Sequence, residues 1–129
     1  MKKSLVVVAH GSRRKESNEE LITIAKKLSA STASGFSDVY YGFLELAEPS
    51  IPDAITQCIN SGAQSVTVLP YFLSAGRHVT VDIPNEVLKV QQLHPECSIV
   101  ITSYLGAADD LIDVIANIAL TNSSKPDSL

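Results

Sequence analysis

The sequence has no long apolar run. Its first apolar stretch, residues 5–9, ends at His10, whereas a membrane-spanning helix needs about 18 or more consecutive apolar residues. The same stretch is too short for the apolar region of a signal peptide, and no small-residue cleavage site follows it. We therefore expect a cytoplasmic protein that has no membrane partner.

Cysteine is also scarce. The two cysteines, Cys58 and Cys97, are 39 positions apart and form no CxxC motif. This spacing argues against a disulfide and against a zinc knuckle. We expect both to be buried free thiols, which is the usual state of isolated cysteines.

Three common ligand motifs are absent. The sequence contains no G-x-G-x-x-G, no G-x-x-x-x-G-K-[ST] and no G-x-S-x-G, so classical dinucleotide, P-loop and α/β-hydrolase sites are not predicted. The net charge of −4 argues against a nucleic-acid partner. Nevertheless, cations gather in two segments, 13–15 and the neighbourhood of Arg77, where they could attract an anionic small ligand or simply solvate the start of a helix.

A single domain accounts for most of the chain. With 129 residues, 45% hydrophobic and 19% charged, the composition is that of a globular domain with a real core. We expect this domain to span 1–120 and a polar tail to span 121–129.

Strand and helix patterns alternate four times. Continuous apolar or β-rich runs predict strands at 4–9, 38–44, 65–69 and 98–102. Helical periodicity predicts helices at 17–30, 50–62, 82–94 and 109–120, the last with Leu111, Ile112, Ile115 and Ala119 as its apolar face. This β-α rhythm predicts an α/β three-layer sandwich, with a four-stranded parallel sheet and helices on both faces.

Two histidines and a carboxylate follow the first three strands. His10 and His78 come after the first and third strands, and Glu45 after the second. The carboxyl ends of parallel strands share one edge of the sheet, where ligands bind. Imidazole and carboxylate suit a first-row divalent metal ion or proton transfer. Each residue alone could equally be a hydrogen-bonding loop residue. His94 precedes the fourth strand and is expected at the opposite edge, as a surface histidine.

The turn Ala9-His10-Gly11 also resembles, faintly, the phosphate-accepting histidine turn of histidine phosphatases. That motif carries an arginine directly before the histidine, and here the position is Ala9.

Three blocks in order resemble another family more fully. Residues 8–13 (VAHGSR), 43–51 (FLELAEPSI) and 69–79 (LPYFLSAGRHV), followed by 82–84 (DIP), resemble the class II chelatases, in particular the small sirohydrochlorin cobaltochelatases of the CbiX type. The resemblance extends to about residue 120. It implies a chelatase-like, flavodoxin-like topology and the insertion of a divalent metal ion into a tetrapyrrole of cobalamin or sirohaem biosynthesis.

The resemblance also implies roles for single residues. His10 and His78 would bind the metal and assist proton removal, with Glu45 as the supporting carboxylate. Sirohydrochlorin is a polycarboxylate, so we expect Ser12, Arg13, Arg14 and Arg77 to bind it. A divalent ion (cobalt first, otherwise nickel or iron) would be a substrate, and no prosthetic group is expected.

Larger members of that family have two such domains across a cleft. One domain offers half a cleft, so we expect a homodimer. A carrier that binds metal or tetrapyrrole without turnover is the alternative function, and a histidine phosphatase is a more distant one.

Overall fold

Strands and helices alternate along the chain in the predicted order. The structure is a computed structural model that describes residues 2–31 and 34–121. The strands are β1 (Lys3–Ala9), β2 (Asp38–Phe43), β3 (Ser65–Pro70) and β4 (Ser98–Ile101). The helices are α1 (Lys15–Ala30), α2 (Ile51–Asn60), α3 (Ile83–Leu93) and α4 (Leu111–Thr121). A π-helical turn, His78–Asp82, leads into α3, and a 3₁₀ turn, Leu105–Ala107, precedes α4.

The four strands form one parallel sheet in the order β2-β1-β3-β4. In its register, Val6 of β1 lies between Tyr40 of β2 and Val68 of β3. The connection from β1 leads to β2 at one edge of the sheet, and the connection from β3 leads to β4 at the other edge. The loops after these two neighbouring strands therefore diverge and leave a crevice between them. The predicted fold class is confirmed.

Alternate residues of β1 enter two separate cores. Val6 and Val8 pack with α2 and α3 on one face of the sheet, while Leu5 and Val7 pack with α1 on the other. This explains why the apolar run of β1 is continuous rather than alternating, since both of its faces are buried. The two layers of helices hold the carboxyl end of β1 in the middle of the molecule.

A local signal accounts for the start of α2. Ser50 caps α2 as predicted, because its Oγ accepts a hydrogen bond from the backbone N–H of Asp53 at 3.2 Å. By contrast, α1 begins at Lys15, two residues before the predicted start at Ser17. The sequence also predicted a plain helix start near Asp82, where the structure instead has the π-helical turn that contains His78.

The last helix is present, but its predicted apolar face is not in the core. None of the α4 side chains belongs to either buried cluster, and Ile112 and Ile115 are 69% and 53% exposed. Apolar periodicity shows that one face of a helix should pack against another apolar surface, but it does not show which surface that is. The predicted tail, 121–129, starts at the last residue of α4 and from 122 onward lies outside the described residues. Among the helices described, none is both long and apolar enough to cross a bilayer.

Gly11 fixes the path of the chain directly after β1. Its φ is +96°, and a Cβ at this position would lie 1.7 Å from the carbonyl oxygen of Glu45. Only glycine combines this left-handed conformation with so close an approach. The close approach brings the backbone beside His10 against the backbone of Glu45.

We predict that Gly11→Ala destabilises the fold more than Gly35→Ala does. Both glycines have positive φ, but no atom of the described residues lies within 4 Å of a Cβ at Gly35. Gly35→Ala should therefore lower the free energy of unfolding only by the left-handed penalty, about 1–2 kcal/mol. Gly11→Ala should lower the free energy of unfolding by about 1–3 kcal/mol more than Gly35→Ala does, because its Cβ overpacks the site. Urea unfolding measures both, and equal losses would contradict the close approach.

Candidate metal and tetrapyrrole site

The backbone pairing of β1 and β2 continues past the ends of both strands. The N–H of Leu44 donates to the carbonyl of Ala9, and the N–H of Glu45 donates to the carbonyl of His10, both at 2.9 Å. These two bonds extend the parallel ladder into the loops. They place His10 and Glu45, which are 35 positions apart in sequence, side by side at the carboxyl edge of the sheet.

The side chains of these two residues are in direct contact. Nε2 of His10 lies 2.8 Å from Oε1 of Glu45, and Nδ1 lies 2.9 Å from the carbonyl oxygen of Gly11. A carbonyl oxygen only accepts hydrogen bonds, so its partner Nδ1 carries a hydrogen. One further proton then lies between Nε2 and Oε1, on the nitrogen or on the oxygen. The pair can therefore give up or take on a proton as a unit.

His78 is held by a carboxylate of its own. Its Nδ1 lies 3.0 Å from Oδ2 of Asp82, four residues further along the same helical segment. Because the carboxylate accepts, Nδ1–H is the donor, and Nε2 of the neutral ring keeps a free lone pair. Carboxylates orient metal-binding histidines in this way in many metal sites.

The two imidazoles lie against each other across the crevice between β1 and β3. Their ring centroids are 4.5 Å apart and the planes meet at 66°, an edge-to-face arrangement. The structure thus brings His10, Glu45 and His78 together from three loops, as the topology predicted. In the described part of the chain, no three His, Cys, Asp or Glu side chains are arranged so that they could bind one metal ion together in their present conformations.

A cleft of about 400 Å³ opens beside this cluster. It is open to solvent, and the side chains of Glu45 and His78 are 56% and 46% exposed. Its lining consists of residues from the β2 end, the π-helical turn and α3: Leu44, Glu45, His78, Asp82, Asn85, Glu86 and Lys89. Sequence reasoning missed the contribution of the last four, because it assigned Asp82 and its successors only to a helix start. The four-residue spacing of His78 and Asp82 was the signal that could have found the pair.

The predicted substrate-binding residues lie on the loops around the cluster. Arg13 and Arg77 are exposed, and Arg77 directly precedes His78. Arg14 is exposed too and lies 3.7 Å from Glu16. Ser12 contributes to the turn before α1, since its Oγ accepts the N–H of Arg14 at 3.0 Å. The structure brings none of these four side chains into hydrogen-bond contact with His10, Glu45 or His78.

The chain is similar to known proteins both in sequence and in structure. A model of the CbiX family matches residues 4–121. A chloroplastic sirohydrochlorin ferrochelatase of Arabidopsis thaliana is 40% identical over 111 residues, which are 86% of this chain and 48% of the relative. A sirohydrochlorin cobaltochelatase of Sulfolobus acidocaldarius is 32% identical over 111 residues, 86% of this chain and 85% of the relative.

A solved structure of SirB from Bacillus subtilis with Fe³⁺ superposes with a TM-score of 0.85 at 26% identity, over 97% of this chain and 49% of that one. The chain thus spans about half the length of the Arabidopsis relative and of SirB. The family model covers nearly all of the described residues. The chain belongs to the CbiX family of chelatases.

Proposed function

We propose that this protein inserts a divalent metal ion into sirohydrochlorin. The observation that carries the proposal is the contact of His10 with both Glu45 and His78. Three separate loops supply these residues, and Glu45 and His78 also line the open cleft. The names of the relatives support the substrate, since they include sirohydrochlorin cobaltochelatases and ferrochelatases. The metal ion is a substrate in this proposal, and no prosthetic group takes part.

Metal insertion requires proton removal at the place where the ion arrives. Two pyrrole N–H protons must leave the macrocycle as the divalent ion enters and sheds its water. The His10–Glu45 pair holds one shared proton between Nε2 and Oε1. Once that proton has left to solvent, the pair can accept one from a pyrrole N–H. Nε2 of His78, with Nδ1 held by Asp82, offers a lone pair that can hold the ion briefly. An ion bound by both His10 and Glu45 would have to replace the proton between them, which couples metal binding to proton loss.

The arginines and Ser12 provide the contacts for the carboxylates of the macrocycle. Arg13, Arg14 and Arg77 are exposed on the loops that carry His10 and His78, and guanidinium groups bind carboxylates through paired hydrogen bonds. The Ser12 hydroxyl can donate one hydrogen bond while it accepts that of Arg14. The cleft leaves Glu45 more than half exposed, so we also propose that a second copy of the chain completes the enclosure.

We take cobalt as the ion to be inserted. Imidazole and carboxylate ligands accept Co²⁺, Ni²⁺ and Fe²⁺, so the donor set alone does not choose among them. The cobaltochelatase of S. acidocaldarius is covered by this chain over 85% of its length, against 48% for the Arabidopsis ferrochelatase. This more complete match favours cobalt.

Removing either imidazole should abolish most of the activity. We expect His10→Ala and His78→Ala each to lower kcat/KM by at least about 100-fold, which is the usual contribution of a proton-transfer group. The measurement is the absorbance change of sirohydrochlorin on addition of Co²⁺, under multiple turnover. The control is His94→Ala, because His94 ends α3 at the other edge of the sheet, beside Glu96.

Wild-type rates in both site variants would refute the assignment of the site. Binding of one equivalent of Co²⁺ or sirohydrochlorin by the wild-type protein, without turnover, would show a carrier rather than an enzyme. A covalent phosphate on His10 would point instead to a phosphatase.

Asp82 should act as a positioning residue for His78. We expect Asp82→Ala to raise KM for Co²⁺ by about 10–100-fold, the usual effect of losing a carboxylate that orients a metal-binding histidine. Asp82→Asn should recover part of the loss, since its amide oxygen can still accept the Nδ1 hydrogen. KM for sirohydrochlorin and the urea midpoint should not change. Glu96→Ala, which removes the carboxylate beside His94, is the matched control, and the same metal KM in it and in Asp82→Ala would contradict the role.

The arginines should act on the tetrapyrrole rather than on the ion. We expect Arg77→Ala to raise KM for sirohydrochlorin about tenfold, which corresponds to losing a charge-assisted hydrogen bond of roughly 1.5 kcal/mol. KM for Co²⁺ should stay constant. Lys26→Ala removes an exposed cation on α1 and should change neither constant. A rise in KM for Co²⁺ alone would assign Arg77 to the metal instead.

A further inference from the structure

One wall of the cleft is a polar stripe on the helical segment that begins at His78. Four residues of this segment line the cleft at helical spacing: Asp82, Asn85, Glu86 and Lys89. The other side of the segment carries the buried residues of α3: Ile83, Val87 and Val90. These three pack in the core between the sheet and α2. Their burial fixes the rotation of the helix, so the polar stripe faces the cleft.

The stripe ends at a cation. Among the described residues that line the cleft, Glu45, Asp82 and Glu86 carry carboxylates and Lys89 alone carries a positive charge. Nζ of Lys89 lies 2.7 Å from Oε2 of Glu86, three residues earlier. Side chains on a helix tilt toward its N-terminus. The stem of Lys89 therefore leads its ammonium group toward the edge of the sheet where His78 lies.

The ammonium group of Lys89 is accessible to a second partner. The side chain of Lys89 is 65% exposed, whereas that of Glu86 is 25% exposed. An ammonium group has three N–H donors, and the contact with Glu86 uses one of them. A carboxylate that arrives from solvent can therefore bind Lys89 beside Glu86 or in its place.

A metal ion is a poorer match for this end of the cleft. The carboxylate of Glu86 already contacts an ammonium group, which an incoming cation would have to displace against like-charge repulsion. In the ranges that the structure describes, Glu86 belongs to no group of three residues that could hold an ion. The contacts at Lys89 thus favour an anionic ligand group.

A tetrapyrrole needs its two kinds of contact at different places. The ion enters at the centre of the macrocycle, whereas the carboxylates extend from its periphery. Lys89 comes seven residues after Asp82, which is about 10 Å further along a helix axis. With the centre of the macrocycle at His10 and His78, Lys89 lies on the side of its periphery.

We propose that Lys89 binds a peripheral carboxylate of sirohydrochlorin inside the cleft, and that Glu86 holds its ammonium group until the substrate arrives. Exchange of one carboxylate for another on an exposed ammonium group changes the free energy little, so Glu86 does not block the position. A tetrapyrrole without a carboxylate there gains nothing from Lys89, which makes the residue a determinant of specificity. The identity of the ligand rests on the proposed function, but the contact itself requires only binding and not metal insertion.

Equilibrium dialysis of sirohydrochlorin, without any metal ion, tests the contact. Lys89→Met keeps the length of the apolar stem and removes the charge, so we expect the Kd to rise about fivefold, the upper range for an exposed ion pair. Lys89→Arg should restore most of the affinity. The control is Lys26→Met, which removes an exposed cation from α1, on the opposite face of the sheet, and should leave the Kd unchanged.

Removal of the competing carboxylate should have the opposite effect. We expect Glu86→Gln to lower the Kd for sirohydrochlorin about two- to threefold, because Lys89 then has no charged partner to exchange. If the pair only stabilised α3, Lys89→Met and Glu86→Gln would both weaken binding. Circular dichroism of each variant shows whether the helix content is retained.

Three results would overturn the proposal. An unchanged Kd in Lys89→Met would remove the contact, and an equal loss in Lys89→Met and Lys89→Arg would show that the positive charge does not carry it. A higher KM for Co²⁺ in Glu86→Gln, with an unchanged Kd for sirohydrochlorin, would assign Glu86 to the ion. Because the Kd is measured without metal, wild-type rates in His10→Ala and His78→Ala would refute the insertion site and leave the Lys89 contact standing.

Discussion

The site depends on two backbone hydrogen bonds beyond the ends of β1 and β2. The N–H groups of Leu44 and Glu45 donate to the carbonyls of Ala9 and His10, so the parallel ladder continues into the loops where strands usually separate. Gly11 permits this, since any Cβ there would collide with the Glu45 carbonyl. The geometry of the His10–Glu45 pair is therefore set by the main chain and not by a chance meeting of two flexible side chains. Such a pair can stay in place while it is exposed to solvent.

The two histidines are prepared for different tasks by their partners. Both have Nδ1 fixed by an oxygen acceptor, the Gly11 carbonyl for His10 and Asp82 for His78. Their Nε2 atoms differ, because that of His10 shares a proton with Glu45, whereas no residue in the described ranges makes such a contact with Nε2 of His78. His10 is thus suited to accept a proton from the macrocycle once its shared proton has left to solvent, and His78 is suited to hold an ion without first losing a proton. Their 4.5 Å separation allows both events within one small volume.

The sequence patterns predicted those features of the structure that depend on the order of the strands and on their burial. The continuous apolar run before His10 required a strand buried on both sides, and the β-α rhythm placed His10, Glu45 and His78 at one edge. The same reasoning failed where the answer depends on exact backbone path. Asp82 was assigned to a helix start, because periodicity does not distinguish a π-helical turn from the first turn of an α-helix. The exposure of α4 was missed for a related reason, since an apolar face requires a cover but does not say whether that cover is in the same chain.

The 3₁₀ turn connects the unpartnered helix to the site. Its Gly106 is bonded to Phe72, in the same loop that continues to Arg77 and His78. The loop is largely exposed, with Leu73 72% accessible, and segments with few buried contacts open more easily than the core does. The hydrogen bond between Gly106 and Phe72 therefore helps to hold this loop in place a few residues before His78. The turn before α4 and the arrangement of the site thus share one structural element.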